Sequence, residues 1–366
     1  MTTRSISRNS LKELIPNLLT AFHIVAPVSG ESVSFFKRIF SYEEIGWLDC
    51  HTAKPLKEFF LPPSDDIFQF HQQGKKIFLA EPMNNHAPRI ILGARPCDAA
   101  ALTVLDRVFS KKGIDVLYTA LRDNTLMIGR SCRKPGRDCF CTSVGISPNE
   151  SQNMDIMLTD IGEDQFLVNL VSPKGEDFYS YFSSFFQERE GLAGDEPAQT
   201  KEMAVYLKQE RIFDIRVIKE WLDTHFEYPF WADMAAKCIG CGACTFLCPT
   251  CHCFDFTDES IAHRDSGYQG LRRRIWDSCS FGHFTQTSIS GSGPGSVGEL
   301  ASGSGHQRRT TQDRRFRQRI MHKFKYFVDL FQRVACVGCG RCRSVCPVGI
   351  DLVEVLETIH DLFYQY

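Results

Sequence analysis

Apolar residues recur at two periods along this chain. Leu11, Leu14, Ile15, Leu18 and Leu19 fall three and four apart, the spacing of one helix face. Residues 75–80 (KKIFLA) and 89–94 (RIILGA) are short apolar runs that predict strands. The second run leads through Pro96, Cys97 and Asp98 into 99–109, whose apolar spacing is helical, with Asp98 as the expected N-cap. Residues 126–129 (LMIG) predict a further short strand entering a cysteine-bearing loop. Strand–helix–strand order of this kind predicts an α/β layer, so an α+β or α/β domain is expected over residues 1–230. The pattern is helical again over about 203–236, and 352–363 predicts a short amphipathic helix.

Composition narrows the class. The 366 residues are 43% apolar and 23% charged with a formal net charge of −2, which describes a globular protein and argues against disorder. That balance gives no general attraction to nucleic acid or to an anionic membrane. No apolar run approaches the roughly 18 residues that cross a bilayer. The N-terminus leads into polar, helix-like sequence and not into a signal-peptide apolar region. Sixteen cysteines without an export signal point to a cytoplasmic protein that uses thiols as metal ligands before disulfides.

The cysteines are unevenly placed, with eleven of the sixteen between 238 and 346. One run occurs twice: Cys238, Cys241, Cys244 and Cys248–Pro249, then Cys336, Cys339, Cys342 and Cys346–Pro347. Both are C-x2-C-x2-C-x3-C-P, the bacterial [4Fe–4S] spacing. One short loop wraps three corners of a cubane, and the fourth ligand arrives from the partner motif. The assignment is therefore Cys238, Cys241, Cys244 and Cys346 to one cluster, and Cys336, Cys339, Cys342 and Cys248 to the other. The glycines within each run let backbone N–H groups approach the cluster, and the proline turns the chain away. Structural zinc sites pair their cysteines in separated twos, which this triplet pattern does not match.

Four more cysteines, Cys97, Cys132, Cys139 and Cys141, sit on two loops of the first domain and predict a third [4Fe–4S] cluster. Cys97 precedes a helix N-terminus, whose dipole favours an anionic group. The competing reading is four unrelated buried thiols. Cys251, Cys253 and Cys279 stand as alternative ligands, a further metal site, or buried thiols around the clusters. Cys50 carries no case of its own, and His252 reads as a polar neighbour.

Two other signals carry less. Residues 288–305 contain 12 Ser or Gly among 18, which predicts a flexible loop, and the literal G-x-G-x-x-G at 293–298 lies inside it without a preceding strand. Residues 306–325 hold eight Lys or Arg against one Asp. That block reads as an arginine-laced surface helix or as positive charge offsetting anionic cubanes and raising their potential. It is not read as a nucleic-acid surface.

In this order, 93–98 (GARPCD), 139–142 (CFCT), the two ferredoxin runs, 248–253 (CPTCHC), 276–279 (WDSC) and 322–324 (HKF) resemble a family of iron–sulfur subunits. Its members are typified by the iron–sulfur electron-transfer subunit of anaerobic sulfite reductase and the beta subunit of cytoplasmic nickel–iron sulfhydrogenases. The likeness runs from about 75 to 350, and the Ser/Gly stretch departs from it. It implies an alpha-helical dicluster ferredoxin domain over 231–366 attached to the first domain. It also implies an electron relay between a flavin-bearing NAD(P)- or ferredoxin-linked reductase subunit and a catalytic subunit of hydrogenase, sulfite reductase or heterodisulfide reductase type. No catalytic residue is expected in such a relay. The alternatives are an enzyme with its own substrate or flavin site in the first domain, and an iron–sulfur redox sensor.

Overall fold

The structure, a computed structural model, describes residues 3–31, 33–81, 87–111, 113–189, 213–264, 267–285 and 309–365. The Ser/Gly stretch 288–305, the motif at 293–298, Arg308 and the start of the helical segment expected from 203 lie outside the described residues.

The first layer grows from strands that are apolar on both faces. β2 (His23–Ser29), β6 (Arg89–Ala94), β7 (Thr125–Arg130) and β8 (Ile156–Gly162) run parallel at the centre of an eight-stranded sheet. Its order is β10-β1-β9-β8-β7-β6-β2-β3. The flanking strands β1 (Thr3–Ser7), β3 (Ser34–Arg38), β9 (Gln165–Leu170) and β10 (Gln187–Arg189) pair antiparallel. Side chains alternate across the sheet, so neighbouring residues serve different helices. Ile24, Ile90, Ile128 and Ile156 meet α1 (Arg8–Leu19) through Leu11, Leu14, Ile15 and Leu18. Val25, Ile91 and Met127 face the other way, onto Leu102, Leu105 and Phe109 of α2 (Pro96–Ser110). Each such leucine or isoleucine contributes about 1.5–3 kcal/mol when fully buried, so the α/β layer is held from both faces.

The start of α2 differs from expectation. Arg95 is the N-cap, Pro96 takes the first helical position, and Asp98 is the third. The Asp98 carboxylate accepts the Arg95 N–H at 3.2 Å, and its other oxygen is occupied by Arg341, which a plain N-cap would not need.

A second, antiparallel sheet has the order β11-β12-β4-β5. It pairs β4 (Ser64–Gln73) and β5 (Lys76–Ala80) with β11 (Phe254–Arg264) and β12 (Gly267–Trp276). Two expectations are corrected here. The 75–80 strand forms, but as the exposed edge of this sheet, with Ile77 and Leu79 about two-thirds accessible, and not in the α/β layer. The segment carrying the ferredoxin motifs is also not purely helical, because β11 and β12 lie between them. These strands are fastened by charge as well as by the ladder: Arg272 pairs with Asp258, Arg273 with Glu259 and Asp66, and the buried Arg274 with Asp65 and Asp115.

Helices Ile215–Thr224, Phe230–Ala235, Gln312–Met321 and Leu352–Phe363 close around Trp221, Trp231, Phe316, Phe324, Leu356 and Ile359. The last is the amphipathic helix expected at 352–363, capped by Asp351, whose side chain accepts the Val353 N–H at 2.8 Å.

Candidate metal centres

The two ferredoxin runs fold alike. Gly240 and Gly242 have φ of +69° and +74°, Gly338 and Gly340 +60° and +72°. Each pair leads into a single helical turn, Ala243–Phe246 or Arg341–Ser344. Positive φ selects glycine, and in the second loop proximity selects it again. A Cβ on Gly338 would lie 2.5 Å from the backbone of Cys141, and one on Gly340 2.2 Å from the carbonyl of Asp138. The second ferredoxin loop is thus pressed against the loop of Cys139 and Cys141, and Phe140 N–H donates to the Gly338 carbonyl at 2.7 Å.

Cys238, Cys241, Cys244 and Cys346 line one cavity, which also reaches Cys342 and Arg319. Gln312 Nε2 donates to Cys238 Sγ at 3.1 Å, and the Ile350 N–H donates to Cys346 Sγ at 3.2 Å. Bonds of this kind favour sulfur that carries negative charge. Cys241 is exposed, as is its neighbour Ile239, so this cavity opens at the surface.

Of the set expected for the other cluster, Cys248, Cys336 and Cys339 are buried and Cys342 is half-buried, so that set lies deeper. Burial pushes the Cys336 thiol up to about 12 and the Cys339 thiol up to about 11, with Cys248 and Cys342 adding to both. Cys248 goes the other way. A hydrogen bond from the Cys251 thiol, then the charges of Lys323 and Arg319, hold it well below the ordinary thiol range against burial. Lys323 Nζ is 3.1 Å from Cys248 Sγ, 2.9 Å from Thr250 Oγ1 and 2.9 Å from the Ala335 carbonyl.

Cys97, Cys132, Cys139 and Cys141 line a single cavity in company with Cys50, His51 and Cys339. Arg95 assembles it. Its guanidinium donates to the carbonyls of Leu48, Cys50, Arg130 and Ser131, drawing the backbone beside Cys50 and Cys132 toward the helix that begins at Pro96–Cys97. Burial raises the thiols of Cys97, Cys132 and Cys139. A bound cation supplies the charge that reverses such a shift and deprotonates a thiol.

Sequence reasoning passed over Cys50, which has no motif around it. Its thiol and that of Cys139 both converge on Gly136, at 3.7 and 3.2 Å from where a Cβ would stand. Cys253 and Cys279 are also brought together, and Cys251 stands beside Cys248. The Cys279 thiol hydrogen-bonds to Cys253, holding it down at about 7, while Cys251 bonds to Cys248. Of the basic block, only some of the cations turn inward. Arg317 pairs with Glu227 and Lys325 with Asp223, while Arg319 and Lys323 reach the cysteines. Among the described residues no three His, Cys, Asp or Glu side chains stand close enough to hold a single metal ion. A cubane does not ask for that closeness, because each thiolate binds a different iron.

Residues 237–350 match the family of the 4Fe-4S dicluster domain. With the paired loops, this defines an iron–sulfur electron-transfer subunit with two [4Fe–4S] clusters. The chain is 30% identical over 354 residues to Sulfhydrogenase 2 subunit beta of Pyrococcus furiosus, spanning 95% of this chain and 96% of that one. It belongs to the sulfhydrogenase beta-subunit family. Among the described residues no helix is long and apolar enough to cross a membrane.

Proposed function

We propose that this chain is a three-centre electron wire. Cys238, Cys241, Cys244 and Cys346 hold the surface cluster, and Cys248, Cys336, Cys339 and Cys342 hold the middle one. Cys97, Cys132, Cys139 and Cys141 hold a third. Each cluster, when bound, accepts one electron and passes it on, and four cysteine ligands leave no open iron for a substrate.

The order rests on one observation. The middle set contributes a residue to each of the other two cavities, Cys342 to the first and Cys339 to the third. Neighbouring centres are thereby separated by a single ligand loop, and the middle cluster is the obligatory step between the ends. The protein's own residues hold the thiols, exclude water from the two deeper sets and place cations beside them.

The Pyrococcus relative is the beta subunit of a sulfhydrogenase. In that light the chain works inside a cytoplasmic assembly, between an NAD(P)- or ferredoxin-linked flavoprotein and a catalytic subunit of the hydrogenase, sulfite reductase or heterodisulfide reductase kind. Anaerobic isolation from the native host tests both parts. The wire predicts about 12 iron and 12 acid-labile sulfide per chain, three cubanes' worth, with a flavoprotein and a catalytic subunit in stoichiometric amount. About 8 iron, or a free monomer that turns over substrate, contradicts it.

A further inference from the structure

Among the described residues, one buried guanidinium stands without an ion pair and with donors left unmet. Arg319 lies on helix Gln312–Met321, 7% exposed, and its Nε and Nη2 are buried without a hydrogen-bond partner. A desolvated guanidinium left this way is costly unless negative charge and acceptors stand against it. Besides Arg319, the only side-chain polar atoms among the described residues lining its cavity are cysteine sulfurs. Arg319 lines the cavity of Cys238, Cys241, Cys244 and Cys346, and the same cavity reaches Cys342, a member of the deeper set. Cys244 and Cys342, one from each set, line that cavity together with Arg319.

The contrast with Lys323, four residues on, sharpens the point. Lys323 has all three protons engaged, with Cys248, Thr250 and Ala335, and so serves one set only. It sits in the π-helical turn His322–Tyr326, an irregularity that recurs at functional sites. Arg319 carries five donors in a planar fork and can address two sides at once.

We propose that Arg319 is a cation shared by the two dicluster centres, its fork donating to sulfur of both, and that it sets both potentials together. A positive charge and N–H donors beside a cubane favour its reduced, more negative state. With one residue common to both, removing its charge lowers the two potentials together. This rests on the proposed ligand assignment.

The test uses the full-length, anaerobically prepared protein with Arg319→Gln and Arg319→Lys, each carried through an EPR-monitored redox titration with iron analysis. In Arg319→Gln both dicluster potentials fall. At the poise where each parent cluster is half reduced, the reduced-to-oxidised ratio drops roughly tenfold, about 59 mV for a one-electron couple. Arg319→Lys, a point charge without the fork, restores one potential and leaves the other low. A shift confined to one cluster in Arg319→Gln, or no shift at all, overturns the proposal. If Arg319→Gln does not retain iron, Arg319→Lys decides alone, and parental values for both clusters overturn it. Failure of the ligand assignment shows elsewhere, as fewer than two tetranuclear signals in the unsubstituted protein.

Discussion

Lys323 Nζ donates to Cys248 Sγ at 3.1 Å, and both groups are buried. The lysine arrives from the second half of the basic block and the cysteine from the end of the first ferredoxin run, whose fourth ligand is read as crossing to the other cluster. A full positive charge is thus locked onto one sulfur of the middle set. Lys323→Gln keeps a donor and removes the charge. It is expected to lower the midpoint potential of one cluster only, with a roughly tenfold smaller reduced-to-oxidised ratio at the parent's half-reduction poise. EPR-monitored titration reads this directly, and equal shifts at two clusters would contradict it.

Arg341 and Asp98 tie the second ferredoxin loop to the helix that carries Cys97. They meet at 2.9 Å with almost no exposure on either side, and Arg341 Nε also donates to the Thr52 carbonyl at 2.8 Å. Removing one member of a buried pair strands the other, at a cost of about 3–5 kcal/mol. Asp98→Asn is therefore expected to lower the denaturation midpoint severely. Removing both charges, by Asp98→Asn with Arg341→Met, recovers much of the loss. Equal destabilisation by the single and double changes counts against the pair.

Arg95 gathers four carbonyls around the third cavity, and lysine cannot reproduce that fork. Arg95→Lys is expected to lose about four iron per chain, one cubane, while the dicluster signals persist. Iron analysis beside the EPR spectrum separates this from general unfolding, which would remove all three.

The Glu227–Arg317 pair gives a pH prediction away from the cysteines. Arg317 donates to both carboxylate oxygens at 2.8 and 3.1 Å and lies over the Phe226 ring. Its hydrogen bonds hold the Glu227 carboxyl below its ordinary 4.5. A depressed folded-state value contributes stability above pH 4.5, and that contribution disappears as pH falls through the lowered value. Glu227 is well exposed, so the effect is under about 1 kcal/mol. Glu227→Gln should melt slightly lower than the parent at neutral pH, and the gap should close only below pH 4.5. A gap that widens on acidification would contradict the assignment.

The legible parts of this protein were the local ones. A C-x2-C-x2-C-x3-C-P run specifies its own loop, and the four positive-φ glycines follow from that spacing. β6 and β7 were legible because central parallel strands are unbroken apolar runs. The hairpin of β11 and β12 was not, because its charged cross-strand pairs hide the period-two pattern, and partners such as Arg273 and Asp66 lie 207 residues apart. Cys50 was invisible for a similar reason, since a single thiol joins its cavity only through the carbonyls that Arg95 collects from two separate segments of chain. The basic block was legible as charge, but periodicity could not say that Arg319 and Lys323 point inward while Arg317 and Lys325 find carboxylates.

The most direct measurement is spin quantitation by EPR on the fully reduced, full-length protein. Three adjoining [4Fe–4S] centres predict close to three spins per chain, broadened by magnetic coupling between neighbours. Two spins or fewer, or three uncoupled signals, would contradict a continuous wire.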